Sequence, residues 1–306
     1  MLLTVALSLS AALTYGVSDF LGAVGARRTG VLNGTAITYS LALFSLVVFW
    51  AVVGGTPSTA AVVWGAVAGV AAIVGFLFFY AALAAGPISL AAPLIAVVGS
   101  LVPVGVALLR GERLSLVAWI AVLLALAGAA LISVTRRGAP VGIPPRTVLF
   151  SVLAGGMLGL SIVGLDFAPT ESGLLSAVVE IAVGVALLGV LLIANRWNPV
   201  RRALAVLDTD HEHSAPDDAA DEVAVVTLGR ARLSSASGGI LLGIANGLIV
   251  LALHSGSLAI VSVLVGLYPI GTIVLARIVH GERLAPVQLI GVVVAIAASV
   301  VLAVPQ

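Results

Sequence analysis

Residues 108–122 read LLRGERLSLVAWIAV and residues 278–292 read IVHGERLAPVQLIGV. The same charged tetrapeptide, Gly111-Glu112-Arg113-Leu114 and Gly281-Glu282-Arg283-Leu284, interrupts two apolar stretches in the same register. Extended outward from it, residues 81–134 align without a gap on residues 251–304 and share 15 of 54 positions. Two apolar helices can match by composition alone, but a charged turn in register between equivalent helix pairs is much harder to dismiss, so the chain reads as an internal repeat. A weaker match pairs Thr4, Ala11, Gly16, Ser18, Gly30 and Leu32 with Thr147, Ala154, Gly159, Ser161, Gly173 and Leu175.

The surrounding composition sets the solvent. Hydrophobic residues fill 61% of the 306 positions and charged ones 9%, too few to clothe a water-soluble surface. A bilayer core requires about 20 mostly apolar residues per helix. Runs of that kind, punctuated by Gly, Pro or Arg, predict helices over 3–25, 31–53, 60–85, 87–109 and 115–134, then 147–168, 173–194, 236–255, 257–279 and 285–304. Residues 135–146, with Arg136, Arg137, Pro140, Pro144, Pro145 and Arg146, cannot continue a buried helix and divide the halves, 1–134 and 147–306. Five helices per half is an odd number, so the second half enters the membrane in the opposite sense. The predicted fold is an all-α membrane protein of ten helices in two inverted repeats, an architecture typical of carriers. Residues 195–235, with seven acidic residues between Asp208 and Glu222 and five Arg, are expected to form a polar loop in water. The apolar first 25 residues lack a basic leader and are expected to be the first helix.

Several function classes drop out. The net charge of +1 gives no case for nucleic acid, and the absence of Cys removes disulfides, thiolate metal sites and cysteine nucleophiles. All 14 basic residues are Arg, so no phosphate-cradling loop with Lys exists to use ATP directly. Asp210, His211, Glu212 and His213 resemble metal ligands by type, but no apolar scaffold surrounds them and a solvated loop is expected. No cofactor or metal is expected.

With the Gly-Glu-Arg-Leu turns, Leu267-Tyr268-Pro269 in the ninth helix and Tyr15-Gly16-Val17-Ser18-Asp19-Phe20 in the first, the sequence resembles the EamA-type carriers of the drug/metabolite transporter superfamily. The resemblance spans nearly the whole chain. It implies ten helices around a central cavity and, usually, export of metabolites, amino acids or toxic compounds. The long acidic 195–235 segment departs from the family's usual connection.

Ionisable groups at membrane depth are costly, about 2.5–3.5 kcal/mol on insertion scales, and are functional candidates by default. Asp19 shares a small, polar face of the first helix with Ser8, Ala12, Tyr15, Gly22 and Ala26, where a carboxylate can bind a cationic substrate, exchange a proton or tie helices together. Glu180 lies in a similar stripe with Ser172, Ser176 and Gly184, and its alternative role is to bridge helices. Asp166, beside Pro169, is expected to cap its helix at the interface. Pro93, Pro103 and Pro269, with Gly99, Ser100, Gly266 and Tyr268, mark bent, cavity-facing segments or plain packing kinks. Ser18, Tyr39, Tyr80 and Asn246 can each bond a substrate or serve as helix glue worth under about 2 kcal/mol. Glu112–Arg113 and Glu282–Arg283 are expected to pair within their turns. Arg277 and His254 are expected to reach the headgroups.

Together these features point to a secondary transporter of small organic metabolites in the cell membrane, an exporter working by alternating access, with protons as a candidate coupling ion. A monomer suffices and a homo-oligomer is compatible. The alternatives are a passive facilitator and a non-transporting receptor or assembly subunit; a membrane-embedded enzyme lacks a paired acid, base and nucleophile at one depth. The loops after helices one, five, seven and nine hold Arg27, Arg28, Arg136, Arg137, Arg146, Arg196, Arg201, Arg202, Arg230, Arg232 and Arg283, against Arg110 and Arg113 on the other side. The positive-inside rule therefore places the termini outside, whereas the resemblance implies cytoplasmic termini.

Overall fold

The computed structural model describes residues 1–85, 88–132, 145–195, 221–269, 271 and 286–303. Among them are ten α-helices and no strand: α1 Leu2–Thr29, α2 Val31–Val53, α3 Thr59–Ala85, α4 Ile88–Leu109, α5 Leu116–Ile132, α6 Pro145–Asp166, α7 Leu175–Ala194, α8 Asp221–Ser255, α9 Leu258–Val265 and α10 Pro286–Ala303. Six contain stretches long and apolar enough to cross a membrane, and Leu94–Leu109, Leu116–Gly128 and Leu289–Leu302 add shorter apolar helices. Helices prevail because lipid offers backbone groups no hydrogen-bond partner. The outer surface fits that solvent: Leu289, Ile290, Val293, Ile296 and Val300 stand exposed at helical spacing along α10. The chain is an all-helical membrane protein.

Two boundaries differ from the hydropathy reading. Residues 221–235, expected in a polar loop, are the first turns of α8. Hydropathy senses where lipid begins, near Leu228, whereas a helix continues as long as its backbone is bonded; exposed Arg230 and Arg232 sit on it without breaking it. Residues 196–220, the rest of that loop, and residues 133–144, most of the divider, lie outside the described residues.

The second difference is the break in the ninth helix. Pro269 has no N–H to give Val265, and the Tyr268 N–H takes that carbonyl instead at 3.0 Å, with Leu267 bonding Leu264 at 3.2 Å. The regular helix ends at Val265 and the chain tightens into turns through Tyr268. The recurring turn has its own local cause in the first half. Gly111 adopts φ +87, and the bonds Gly111 N–H to Leu108 O and Glu112 N–H to Ala107 O, both 3.0 Å, close a Schellman cap on α4.

Packing pairs α1 with α8, α3 with α6, α2 with α8, α3 with α7, α4 with α6, α1 with α9, α2 with α7, α4 with α9 and α5 with α10. Small residues permit the close approaches. A Cβ on Gly155 of α6 would stand 2.6 Å from the Ile95 carbonyl oxygen of α4, and one on Gly159 2.7 Å from that of Gly99. The obstacle is backbone, which cannot swing aside, so Gly155→Val should lower the unfolding midpoint in detergent strongly, by about 1–3 kcal/mol of overpacking or more. A melting curve superposing on the parent's would refute this close contact.

Candidate functional site

The interior polar groups come from five segments and converge near Tyr15. On α1, Tyr15 and Asp19 are one turn apart, both partly buried. The break after α9 brings Tyr268 edge-on to Tyr15, with ring centroids 5.8 Å apart at 61°. Tyr39 of α2 is buried, sits edge-on to Phe76 of α3 at 6.0 Å, and lies against Gly184 of α7. Glu180, one turn before Gly184, is 5% exposed; its Oε1 accepts a 2.7 Å hydrogen bond from the Ser161 hydroxyl of α6, and its Oε2 has no partner among the described residues. Asp19, Tyr39, Glu180 and Tyr268 all stand within electrostatic reach of Tyr15. Among the described residues neither carboxylate has an ion-pair partner; the salt bridge there joins Arg110 and Asp166.

Other candidates are engaged within the bundle itself. The Ser18 hydroxyl donates to Gly238 O of α8 at 2.8 Å, and the Ser100 hydroxyl donates across to Ser262 O of α9 at 3.3 Å. The Asn246 amide donates to Leu242 O of its own helix at 3.0 Å. Pro103 and Pro269 are buried. Tyr80 lies on α3 with its side chain outside what is described, as is that of Pro93; Arg277, Gly281, Glu282 and Arg283 lie outside the described residues, as do Asp210, His211, Glu212 and His213. An apolar pocket of about 170 Å³ lies between α1 and α10, lined by Val5, Leu9, Leu267 and Ile296 and by none of the tyrosines.

At the face where α1 begins, loops lock together. The Thr56 amide and hydroxyl both donate to Glu171 O, at 2.7 and 3.0 Å. The Thr4 hydroxyl donates to Ser255 O at 2.9 Å. Arg110 pairs with Asp166 while its guanidinium carbon stands 4.6 Å from the centroid of the Phe167 ring, which stacks on Trp64. Asp166 is thus the last residue of its helix and is bound to Arg110, just beyond the end of α4. The pairing expected between Glu112 and Arg113 is not formed: the Schellman cap carries Glu112 toward α9, where it accepts from the Ser257 hydroxyl at 2.5 Å. Ser161, Phe76 and the Arg110–Asp166 pair escaped the sequence reading. Only Ser161 left a signal, as the repeat partner of Ser18.

The bundle of apolar helices thus holds one buried and one partly buried carboxylate without an ion-pair partner among the described residues, an arrangement that is costly at membrane depth. The profile of the EamA-like transporter family, which is part of the drug/metabolite transporter superfamily, matches residues 2–134. That family implies a membrane transporter. No curated protein matches its sequence significantly. A crystal structure of a protein 18% identical covers 97% of this chain and 97% of its own with a TM-score of 0.68, a likeness of fold alone.

Proposed function

We propose that the chain is a secondary carrier that exports small organic metabolites by alternating access, with Asp19, Glu180, Tyr15 and Tyr268 as its substrate and coupling groups. The observation behind this reading is that two carboxylates without an ion-pair partner among the described residues both stand within reach of Tyr15, one of them also of Tyr268. The helix pairs support a division into halves, 1–134 and 147–306: exchanging α1–α5 with α6–α10 turns the α1–α8 contact into α6–α3, α2–α8 into α7–α3 and α4–α6 into α9–α1. Purified protein in proteoliposomes should move metabolites, with flux responding to an imposed proton gradient; flux indifferent to that gradient favours a facilitator, and none at all a receptor or assembly subunit.

The sealed face carries Arg110 and Arg113, and the Arg-rich loops belong to the other. We place the sealed face and the termini outside. A single Cys at Pro216 should then resist an impermeant thiol reagent in intact cells and react after lysis. Labelling of intact cells reverses the orientation.

A further inference from the structure

The carrier reading leaves the charge of the substrate open, and the site's own chemistry addresses it. Glu180 is 5% exposed, and one carboxylate oxygen is held by Ser161 while the other meets no donor among the described residues. A buried acceptor left free is costly unless something that carries a donor or a positive charge comes to it. Asp19 stands within reach of both Tyr15 and Tyr268. No Arg or His among the described residues pairs with either acid. Tyr15 lies edge-on to Tyr268 and Tyr39 edge-on to Phe76, and Tyr39 and Glu180 both stand within electrostatic reach of Tyr15. Carboxylates without counter-charge reject anions, and aromatic faces favour an alkylated ammonium over a hydrated metal ion.

Resting on the carrier reading above, we propose that this site selects small organic cations: Glu180 Oε2 and the Asp19 carboxylate take the ammonium group, and the tyrosine rings take its apolar substituents.

Binding to purified full-length protein in detergent, followed by calorimetry, tests it without requiring flux. The probes are benzyltrimethylammonium, benzyl alcohol and benzoate, which share a ring and differ in charge. The cation should bind, and the neutral and anionic probes should not. Glu180→Gln keeps an oxygen for the Ser161 hydroxyl, so the bundle should stay folded while cation affinity falls about tenfold or more, the size of one charge-assisted contact; Asp19→Asn should do the same. Equal binding of benzyl alcohol or benzoate, no binding of the cation, or undiminished affinity in both variants overturns the proposal. Melting curves identify a misfolded variant, in which case the parent's ranking of the three probes decides alone. Cation binding by a protein that carries nothing in proteoliposomes would overturn the carrier reading and leave this one standing.

Discussion

Asp19→Asn should lose most transport while the protein still folds. Asn matches the carboxylate in shape, so the packing of α1 on α8, held in part by Ser18 and Gly238, has no reason to change. What disappears is a negative charge at membrane depth with no ion-pair partner among the described residues. Maintaining such a charge costs a few kcal/mol, and a purely structural position would be filled more cheaply by a neutral residue. Loss of one charge-assisted contact of roughly 1.5–3 kcal/mol corresponds to a drop of about ten- to a hundredfold. If Asp19 also carries the proton, whatever flux remains should no longer respond to a pH gradient, although Glu180 and the hydroxyls of Tyr15, Tyr39 and Tyr268 stay in place. Initial rates in proteoliposomes, with and without the gradient, measure both effects. Parental rates with parental pH dependence would remove Asp19 from the mechanism.

Most helix positions were legible because lipid imposes a one-dimensional rule: α2 runs over the predicted 31–53, and α3, α4, α5 and α10 begin within a residue or so of expectation. The rule fails where a helix leaves lipid, as at the start of α8, and where proline redistributes hydrogen bonds, as after Val265. For the site, composition could mark Tyr15, Asp19, Glu180 and Tyr268 one by one, since polarity in an apolar run is visible locally. It could not show that Tyr15 meets Tyr268, which depends on where the α9 break falls. Nor could it show that the Ser18 and Ser100 hydroxyls are taken by carbonyls of α8 and α9, because every residue type supplies the same carbonyl. Arg110 and Asp166 are 56 positions apart, a separation at which spacing along the sequence suggests no pairing.

The sealed face yields a second large effect. Alternating access requires the loops at the start of α1 to part once per cycle, which means breaking the bonds from Thr56 to Glu171 and the pairing of Arg110 with Asp166. These join α2–α3 to α6–α7 and α4 to α6, so they cross between the proposed halves. Each bond is individually modest, about 0.5–1.5 kcal/mol, and the set can open on a functional timescale. A covalent tie cannot. Because the chain has no Cys, replacing Thr56 and Glu171 with Cys introduces the only thiols, and their backbones already lie within hydrogen-bond distance. Bridging this pair with a short bifunctional thiol reagent should stop flux, and a reductant should restore it; either single Cys variant treated alike should retain transport. Mass spectrometry of the treated protein establishes whether the bridge has formed. Full transport by a demonstrably bridged protein would mean that this face never opens, and the alternating-access proposal would fall with it.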